Sequence, residues 1–372
     1  MVHHSEVFVG IDTSKLRNAV AIAEGGRNGE VRYLGEFGTT AEATRKLVAN
    51  LASKYDQITF CYEAGPTGYG LHRLIESLGA SCMVVAPSLI PKKSGDRVKT
   101  DRRDAVMLAR LLRAGELTGV WVPDDRHEAI RELTRLRETT RQDLTRKRQQ
   151  ISSLLLRLGL HYPGIKRWGA RHRTWLAHVK LEHAEQRFVL EELLQGERQA
   201  RERIERLEQT IREAVAQWSL GPVVTAMMAM RGIDLISATL ILSEIGDMSR
   251  FENPRQLMAY LGLVPSERST GGTVKRGGIT KTGNNRVRRI LVEASWAYRH
   301  PARVGMEKQA LVAAAPPAAR EIAWKAQVRL TKRFRRLSNK GKKSTVVATA
   351  IARELAAFIW DIARNVETKP RT

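Results

Sequence analysis

The first 120 residues alternate short β-prone runs with segments of helical spacing. The apolar runs that predict strands are 7–11, 19–23, 31–37, 58–62 and 81–86. Apolar residues at helical spacing mark 39–55, 68–78 and 101–117. Three consecutive strands favour antiparallel hairpins, and the later strand–helix–strand units favour parallel pairing. The pattern therefore predicts an α/β domain with a mixed sheet of about five strands.

From residue 126 to about 219 the pattern is helical throughout. A first helix with leucine and isoleucine at helical spacing ends at the Tyr162-Pro163-Gly164 break, and a second runs from about 182 to 218. The second helix has a seam at alternating three- and four-residue spacing, formed by Ile204, Leu207, Ile211, Ala214 and Trp218. This spacing predicts an antiparallel helical hairpin or a dimerising coiled coil, and an ordinary helical spacer is the alternative.

Residues 220–300 have the pattern of a further α-helical unit. Gly232 lies in a short turn between two helices, which is typical either of a phosphate-binding helix–hairpin–helix or of a plain helical turn. The stretch PSERSTGGTVKRGGITKTGNNRVRR predicts a loop that is rich in Gly, Ser, Lys and Arg. Residues 301–372 are helical and basic, with seven Lys or Arg between Lys332 and Lys343.

Composition and charge restrict the function. The chain has 372 residues, with 63 Lys and Arg against 39 Asp and Glu, a formal charge of +24. Such a charge favours a nucleic-acid partner. No apolar run reaches the ~20 residues of a membrane span, and the N-terminus does not have the pattern of a signal peptide. Because two cysteines make no disulfide framework, we expect a protein of the reducing cytoplasm that is not associated with a membrane.

Four carboxylates lie at positions where the functional site of a mixed α/β sheet is usually found. Asp12 ends the first strand, Glu63 ends the fourth, and Asp101 and Asp104 lie one helical turn apart in KTDRRDA. We call these four residues the acidic quartet. Their mutual repulsion and hard oxygen ligands predict a site for Mg²⁺ or Mn²⁺, with two ions acting on a phosphodiester. Alternatively, Asp12 is a turn residue, Glu63 is an ion-pair partner, and Asp101 and Asp104 are a charge pair at the start of a helix.

The motifs GIDTSK, CYEAGPTG and KTDRRDA resemble those of the RuvC-like (RNase H-like) DEDD domain of insertion-sequence-110 family transposases. The later stretch AYLGLVPSERSTGGTVKRGGITKTGNNRVRRILVEASW is similar to the second conserved domain of that family. The resemblance implies a DNA recombinase that cuts and rejoins donor and target DNA under the guidance of a structured bridge RNA. It also implies a catalytic role for the acidic quartet, a catalytic serine, and a prokaryotic protein associated with the nucleoid.

The serine implied by the resemblance is Ser269, with Ser266 in reserve. Members of the family often have Ser-Ser-Gly where this chain has Ser269-Thr270-Gly271. A serine hydroxyl needs a base or a metal to become a nucleophile, and no histidine is adjacent to Ser269 in the sequence. We therefore expect metal held by the acidic quartet to activate Ser269 or to stabilise the phosphate that it attacks, in a composite site built from two domains.

The expected organisation has four parts. They are a RuvC-like metal-binding domain (1–120), a helical coiled-coil region (121–219), a mostly α-helical serine-bearing domain (220–345), and a C-terminal helix and tail (346–372). A composite site predicts a homo-oligomer, either a dimer or a tetramer made of two dimers. The residues expected to contact nucleic acid are Lys275, Arg276, Lys281, Arg286, Arg288, Arg289, Lys332, Arg333, Arg335 and Arg336.

Three other functions remain open at this point. An actin-like ATPase would also place GIDTSK after its first strand, but it needs a second Gly-rich phosphate loop that the sequence lacks. A non-catalytic nucleic-acid-binding protein explains the charge but not the acidic quartet. A junction-resolving nuclease would use the quartet alone, and it would keep cutting DNA after a Ser269→Ala substitution.

Overall fold

The computed structural model describes residues 4–91 and 100–367, and backbone alone for His4 and Ser5. The chain divides into two compact units, Met1–Val122 and Pro123–Thr372. The tail residues 368–372, which we expected after the last helix, lie outside the described residues.

Within its described residues, the first unit contains five strands and three α-helices. The strands are β1 (His4–Asp12), β2 (Arg17–Glu24), β3 (Val31–Gly38), β4 (Tyr55–Glu63) and β5 (Ser81–Val85). The helices are α1 (Ala41–Ala52), α2 (Gly70–Ser77) and α3 (Asp101–Arg113). This order confirms the predicted succession of three strands followed by alternating helices and strands.

The five strands form one mixed sheet in the order β3-β2-β1-β4-β5. The pairs β1–β2 and β2–β3 are antiparallel, and β1–β4 and β4–β5 are parallel. The predicted mixed α/β sheet is therefore confirmed. Its centre is buried between helical layers, with Val7, Val9 and Phe60 fully enclosed.

Helix α3 packs closely on the sheet because both surfaces consist of small residues. Ala105 and Ala109 of α3 meet Ala19, Ala21 and Ala23 of β2. Gly10 of β1 completes this surface, since a Cβ there would lie 2.3 Å from the carbonyl oxygen of Ala105. Any larger side chain at Gly10 would push α3 away from the sheet.

The second unit contains ten helices and one two-stranded sheet within the described residues. Its helices are α4 (Asp125–Arg157), α5 (Ala170–Ala177), α6 (Ala184–Ala216), α7 (Gly221–Met227), α8 (Leu235–Ile245), α9 (Pro254–Tyr260), α10 (Asn285–Ser295), α11 (Met306–Ala314), α12 (Pro317–Asn339) and α13 (Ser344–Asn365). Its strands are β6 (Pro265–Thr270) and β7 (Thr273–Ile279).

The two long helices α4 and α6 pair antiparallel within one chain. Arg137 on α4 bonds to Glu208 on α6, and Arg148 bonds to Glu197, so residues later in α4 meet residues earlier in α6. From the predicted seam, Ile204, Ile211 and Trp218 are buried. The antiparallel helical hairpin, one of the open alternatives, is therefore the arrangement that the structure describes.

Helices α7 to α13 share a large apolar core with the base of this helical hairpin. It gathers Trp218, Tyr298, Leu355 and their neighbours from α7 to α13. The last helix, α13, contributes Ile351, Leu355 and Ile359 to this core. No helix among the described residues combines the length and the apolar character needed to cross a membrane.

The structure corrects one prediction directly. The Gly- and Ser-rich stretch expected to be a loop is a β-hairpin, in which β6 and β7 pair antiparallel around Gly271-Gly272. We call residues 265–279 the serine hairpin. Gly271 has φ +57, a left-handed conformation that favours glycine at a tight turn. Its strands are almost wholly exposed, so no buried face revealed them through an apolar alternation.

Candidate active site

Two members of the acidic quartet end neighbouring strands. In the parallel pair β1–β4, Ile11 lies opposite Tyr62, so Asp12 and Glu63 are the next residues along the two strands. The loops that follow also meet, with the Oγ1 atoms of Thr13 and Thr67 3.3 Å apart. Both carboxylates are partly exposed at this carboxyl edge of the sheet.

The other two members begin α3, which runs antiparallel to β1. Its last turn lies at the opposite edge, where Arg113 donates to the carbonyl oxygens of Glu24 and Gly29, at 3.1 and 2.8 Å. Its first turn, capped by Thr100, therefore lies toward the edge that carries Asp12. Asp104 is partly buried and Asp101 is exposed.

The backbone brings the quartet to one edge, but the side chains do not converge. Among residues 4–91 and 100–367, no three His, Cys, Asp or Glu side chains form a group that could hold a metal ion. Carboxylates without a cation between them repel one another, which favours separate rotamers. The oxygen donors and their shared edge fit a hard divalent cation. Their side chains are not arranged as they would be around a bound metal ion.

The predicted serine lies on the exposed serine hairpin with an acidic partner. Ser269 Oγ donates a hydrogen bond of 2.8 Å to Oε1 of Glu267, two residues earlier on the same face of β6. Arg276 Nε on β7 donates to the other carboxylate oxygen, at 3.2 Å. The hydrogen bond from Ser269, followed by that from Arg276, lowers the pKa of Glu267 below its ordinary value of 4.5. Glu267 is therefore ionised at neutral pH beside the hydroxyl.

The reserve serine has a different environment. Ser266 Oγ lies over Gly277 on the neighbouring strand, where an added Cβ would come within 2.5 Å of it. Within the described part of the chain, Glu267 bonds Ser269 and Arg276 and makes no hydrogen bond to Ser266. Glu267 is not among the site residues predicted from the sequence, although its position two residues before Ser269 on a strand places both side chains on one face.

Three of the residues predicted to contact nucleic acid also form bonds within the protein. Arg286 and Arg289 on α10 both bond to Glu138, a buried carboxylate on α4. Arg288 donates to the carbonyl oxygens of Leu261 and Thr282, at 2.9 and 2.7 Å. These bonds fix the start of α10, which follows the serine hairpin in the chain.

The other predicted contacts are mostly exposed. Lys275 and Lys281 are exposed, and Arg276 is engaged with Glu267. On α12, Lys332, Arg335 and Arg336 are exposed and make no ion pair with any residue the structure describes. Arg333 pairs with Glu354 on α13. The exposed lysines and arginines remain free to meet phosphates.

The turn at Gly232 favours the plain helical alternative. Gly232 has φ +79, and a Cβ there would lie 2.7 Å from the carbonyl oxygen of Ala294 on α10. The start of α8 is closed by a capping box between Asp234 and Ser237, which uses amides that a phosphate would need. The glycine allows close packing of the turn on α10.

Comparisons with known proteins define the class. Residues 9–159 match a family model described as "Transposase", named for the DEDD signature of IS110, and residues 224–307 match "Transposase IS116/IS110/IS902 family". The protein is thus a transposase. The chain is 55% identical to y4qE of Sinorhizobium fredii over 97% of this chain and 90% of that protein. It is 30% identical to the transposase for insertion sequence element IS1533 of Leptospira borgpetersenii, over 91% of this chain and 98% of the relative.

The chain belongs to the IS110 family of transposases. Its class of reaction is therefore the cutting and joining of DNA strands in transposition. The recognition from the sequence motifs is confirmed, and the actin-like ATPase and the non-catalytic binding protein are excluded as descriptions of the chain.

Proposed function

We propose that this transposase cuts DNA with Ser269 as nucleophile and that the acidic quartet holds the divalent cation required. The observation that carries the proposal is the shared edge of Asp12 and Glu63, toward which α3 directs Asp104. Oxygen ligands at the end of a sheet are the donor set that Mg²⁺ and Mn²⁺ prefer. Bound there, one or two such ions would neutralise charge that develops on the phosphodiester.

The serine supplies the covalent step. Its Oγ attacks the phosphorus, an Oγ–P bond forms, and one bridging P–O bond of the DNA breaks. The hydroxyl proton passes to the Glu267 carboxylate, and the released strand end gains a proton to become a free hydroxyl. The phosphodiester energy is conserved in the phosphoserine link, so attack by a second strand's hydroxyl rejoins DNA and restores Ser269.

Arg276 has two roles in this scheme. Its bond to Glu267 holds the carboxylate in place beside Ser269. Its charge lies on the same face of the serine hairpin as Ser269, where it can attract the scissile phosphate. We infer that Glu267, and not a metal ion alone, acts as the base that removes the proton from Ser269.

The partners of the reaction are donor and target DNA and a structured guide RNA. The resemblance to the family supports the RNA, and the charge of +24 is compatible with two polyanions. Sequencing the RNA that co-purifies with the protein from its native host tests this point. A single abundant transcript from DNA beside the gene supports guidance, and random cellular RNA contradicts it.

The oligomer and its location complete the proposal. A dimer or a dimer of dimers would bring two serine hairpins and two acidic edges to two DNA duplexes. Sedimentation of the protein with and without DNA tests the assembly, and a monomer in the DNA complex contradicts it. Such a complex would be cytoplasmic and associated with the nucleoid.

The metal site is tested by Asp104→Asn and Glu63→Gln. Both variants are expected to lose DNA cleavage and to bind Mn²⁺ more weakly in electron paramagnetic resonance, with DNA binding retained. Asp56→Asn is the matched control, since Asp56 is exposed near the other end of β4. Unchanged Mn²⁺ binding in both variants would contradict a metal site at this edge of the sheet.

A further inference from the structure

A cavity in the second unit lies apart from the acidic quartet and from the serine hairpin in sequence and in lining. It has a volume of about 580 Å³, within the usual size of small-ligand sites. Its walls are the loop 303–305, the start of α11 and one face of α12. We call it the Trp324 pocket, after the half-exposed indole at its side.

The rim of the Trp324 pocket is apolar and exposed. Val304, Met306 and Trp324 are 39%, 87% and 49% exposed, and all three line the same cavity. Large apolar side chains grouped around a concave surface usually mark a binding site. A half-exposed indole beside a flexible methionine is suited to a flat aromatic ligand.

The pocket also has a polar group that lacks a partner. Gln327 is only 5% exposed and lines the cavity. Its side-chain amide makes no hydrogen bond with any residue in the described parts of the chain. Because Gln327 lines the cavity, its amide can donate and accept hydrogen bonds with the edge of a ligand there.

The charges around the cavity favour an anion. Four basic residues line it against one acidic residue, Glu307. Two of the four are occupied: Lys308 Nζ donates to the carbonyl oxygen of Met228 at 2.6 Å, and Arg231 donates to that of Pro301 at 2.8 Å. Arg303 and Arg320 are exposed and form no ion pair with other described residues.

We propose that the Trp324 pocket binds one unpaired nucleotide of a DNA or RNA strand. The base stacks on Trp324, Gln327 bonds the edge of the base, and Arg303 and Arg320 contact the flanking phosphates. Stacking on aromatic side chains and amide contacts to base edges are the usual means of binding single strands. Exposed Lys325 and Lys332 continue the positive surface along α12 beyond the pocket.

The test measures binding of the full-length protein to labelled single-stranded DNA, single-stranded RNA and duplex DNA of the same length. Trp324→Leu is expected to weaken binding to a single strand about five-fold or more while leaving duplex binding unchanged. Phe188→Leu is the control, because Phe188 is an exposed aromatic residue on α6, outside this pocket. Whether Trp324→Leu weakens binding to single-stranded DNA, to single-stranded RNA or to both identifies the kind of strand that the pocket binds.

The salt dependence separates the roles of the residues. Arg320→Ala should lower the slope of log affinity against log salt by about 0.7 for a single strand, and Trp324→Leu should leave the slope unchanged. Arg255→Ala, which removes an exposed charge on α9, should not affect single-strand binding. A 5-iodouracil oligonucleotide should photocrosslink within residues 303–327.

Three results would overturn the proposal. They are equal single-strand binding by Trp324→Leu and Phe188→Leu, an equal loss with duplex DNA, and a change of oligomeric state in Trp324→Leu. The last would make this face a contact between copies of the chain. Because the readout is binding without cleavage, failure here leaves the proposed serine chemistry untouched.

Discussion

Oε2 of Glu244 accepts a hydrogen bond of 2.7 Å from Nδ2 of Asn284, although 40 residues separate them in the chain. Glu244 is buried on α8, and Asn284 caps the start of α10. Arg135 of α4 bonds both oxygens of the same carboxylate, at 2.7 and 2.9 Å. One carboxylate thus ties three helices together at the point where the chain leaves the serine hairpin.

Glu244→Gln is predicted to destabilise the protein by about 2 kcal/mol. The amide cannot accept both charged bonds from Arg135, and such bonds contribute about 1.5–3 kcal/mol each. Urea unfolding measures the change, with Glu321→Gln as the control because Glu321 is exposed on α12. Equal stability of the two variants would show that the Glu244 network does not hold α10.

Stability should fall at acid pH through Glu197. Burial alone would raise the pKa of Glu197, but hydrogen bonds from Arg173 and Arg148 outweigh it and hold the pKa below the ordinary value of 4.5. The folded state therefore binds this proton less readily than the unfolded state. The contribution of Glu197 to the free energy of unfolding is complete above pH 4.5. It is lost as the pH falls through the lower pKa that Glu197 has in the folded protein.

Unfolding measured from pH 7 down to about pH 3.5 tests this. Glu197→Gln should be less stable at neutral pH and should lose less stability on acidification than the wild type. Glu202→Gln, an exposed change on the same helix, should keep the acid dependence. Parallel curves for the wild type and Glu197→Gln would contradict the role of this carboxylate.

Gly10→Ala is predicted to displace α3. The added Cβ would meet backbone atoms of Ala105 and Ala109 at 2.3 and 2.4 Å, which cannot move independently of the helix. We expect a loss of about 1–3 kcal/mol in stability together with a loss of DNA cleavage, because Asp104 moves with α3. Thermal unfolding and a nicking assay measure both effects.

Gly70→Ala provides the contrast. No atom lies within 4 Å of a Cβ at Gly70, the first residue of α2. Alanine should therefore be neutral or stabilise by about 0.4–1 kcal/mol by restricting the unfolded chain. If both glycine variants behave alike, close packing of α3 on β1 is not what positions the acidic edge.

Glu267→Gln should slow formation of the covalent protein–DNA link by about 10²-fold or more. The glutamine still accepts a bond from Ser269 but cannot take its proton at neutral pH. Because the pKa of Glu267 is lowered, the wild-type rate should not fall through loss of this base until below pH 4.5. Ser266→Ala should react at close to the wild-type rate. A rate unaffected by Glu267→Gln would assign proton removal to another group.

The sequence was sufficient for the first unit because its signals are local. Apolar strands end at Asp12 and Glu63, and an apolar face at helical spacing identifies α3, so the order of the elements follows from the pattern alone. The serine hairpin was missed because both faces are polar. Thr270-Gly271-Gly272-Thr273 is the one local signal for its two-residue turn.

The carboxylate partners could not be predicted for a different reason. Glu138 meets Arg286 and Arg289 across about 150 residues of chain, a distance at which no periodic pattern operates. The arginines of α10 have the same appearance in sequence as exposed nucleic-acid contacts. Only the fold distinguishes those with a buried acid opposite them, as at Arg286, from those without one, as at Arg335.

The most direct test of serine chemistry is to trap the covalent intermediate. Wild-type protein is mixed with supercoiled DNA carrying the element ends, Mg²⁺ and co-purified RNA, and the products are separated under denaturing conditions. The account predicts a protein–DNA adduct that peptide mapping places on Ser269 and that is absent from Ser269→Ala and Asp104→Asn. Strand cleavage by Ser269→Ala, or an adduct mapped to another residue, would contradict it.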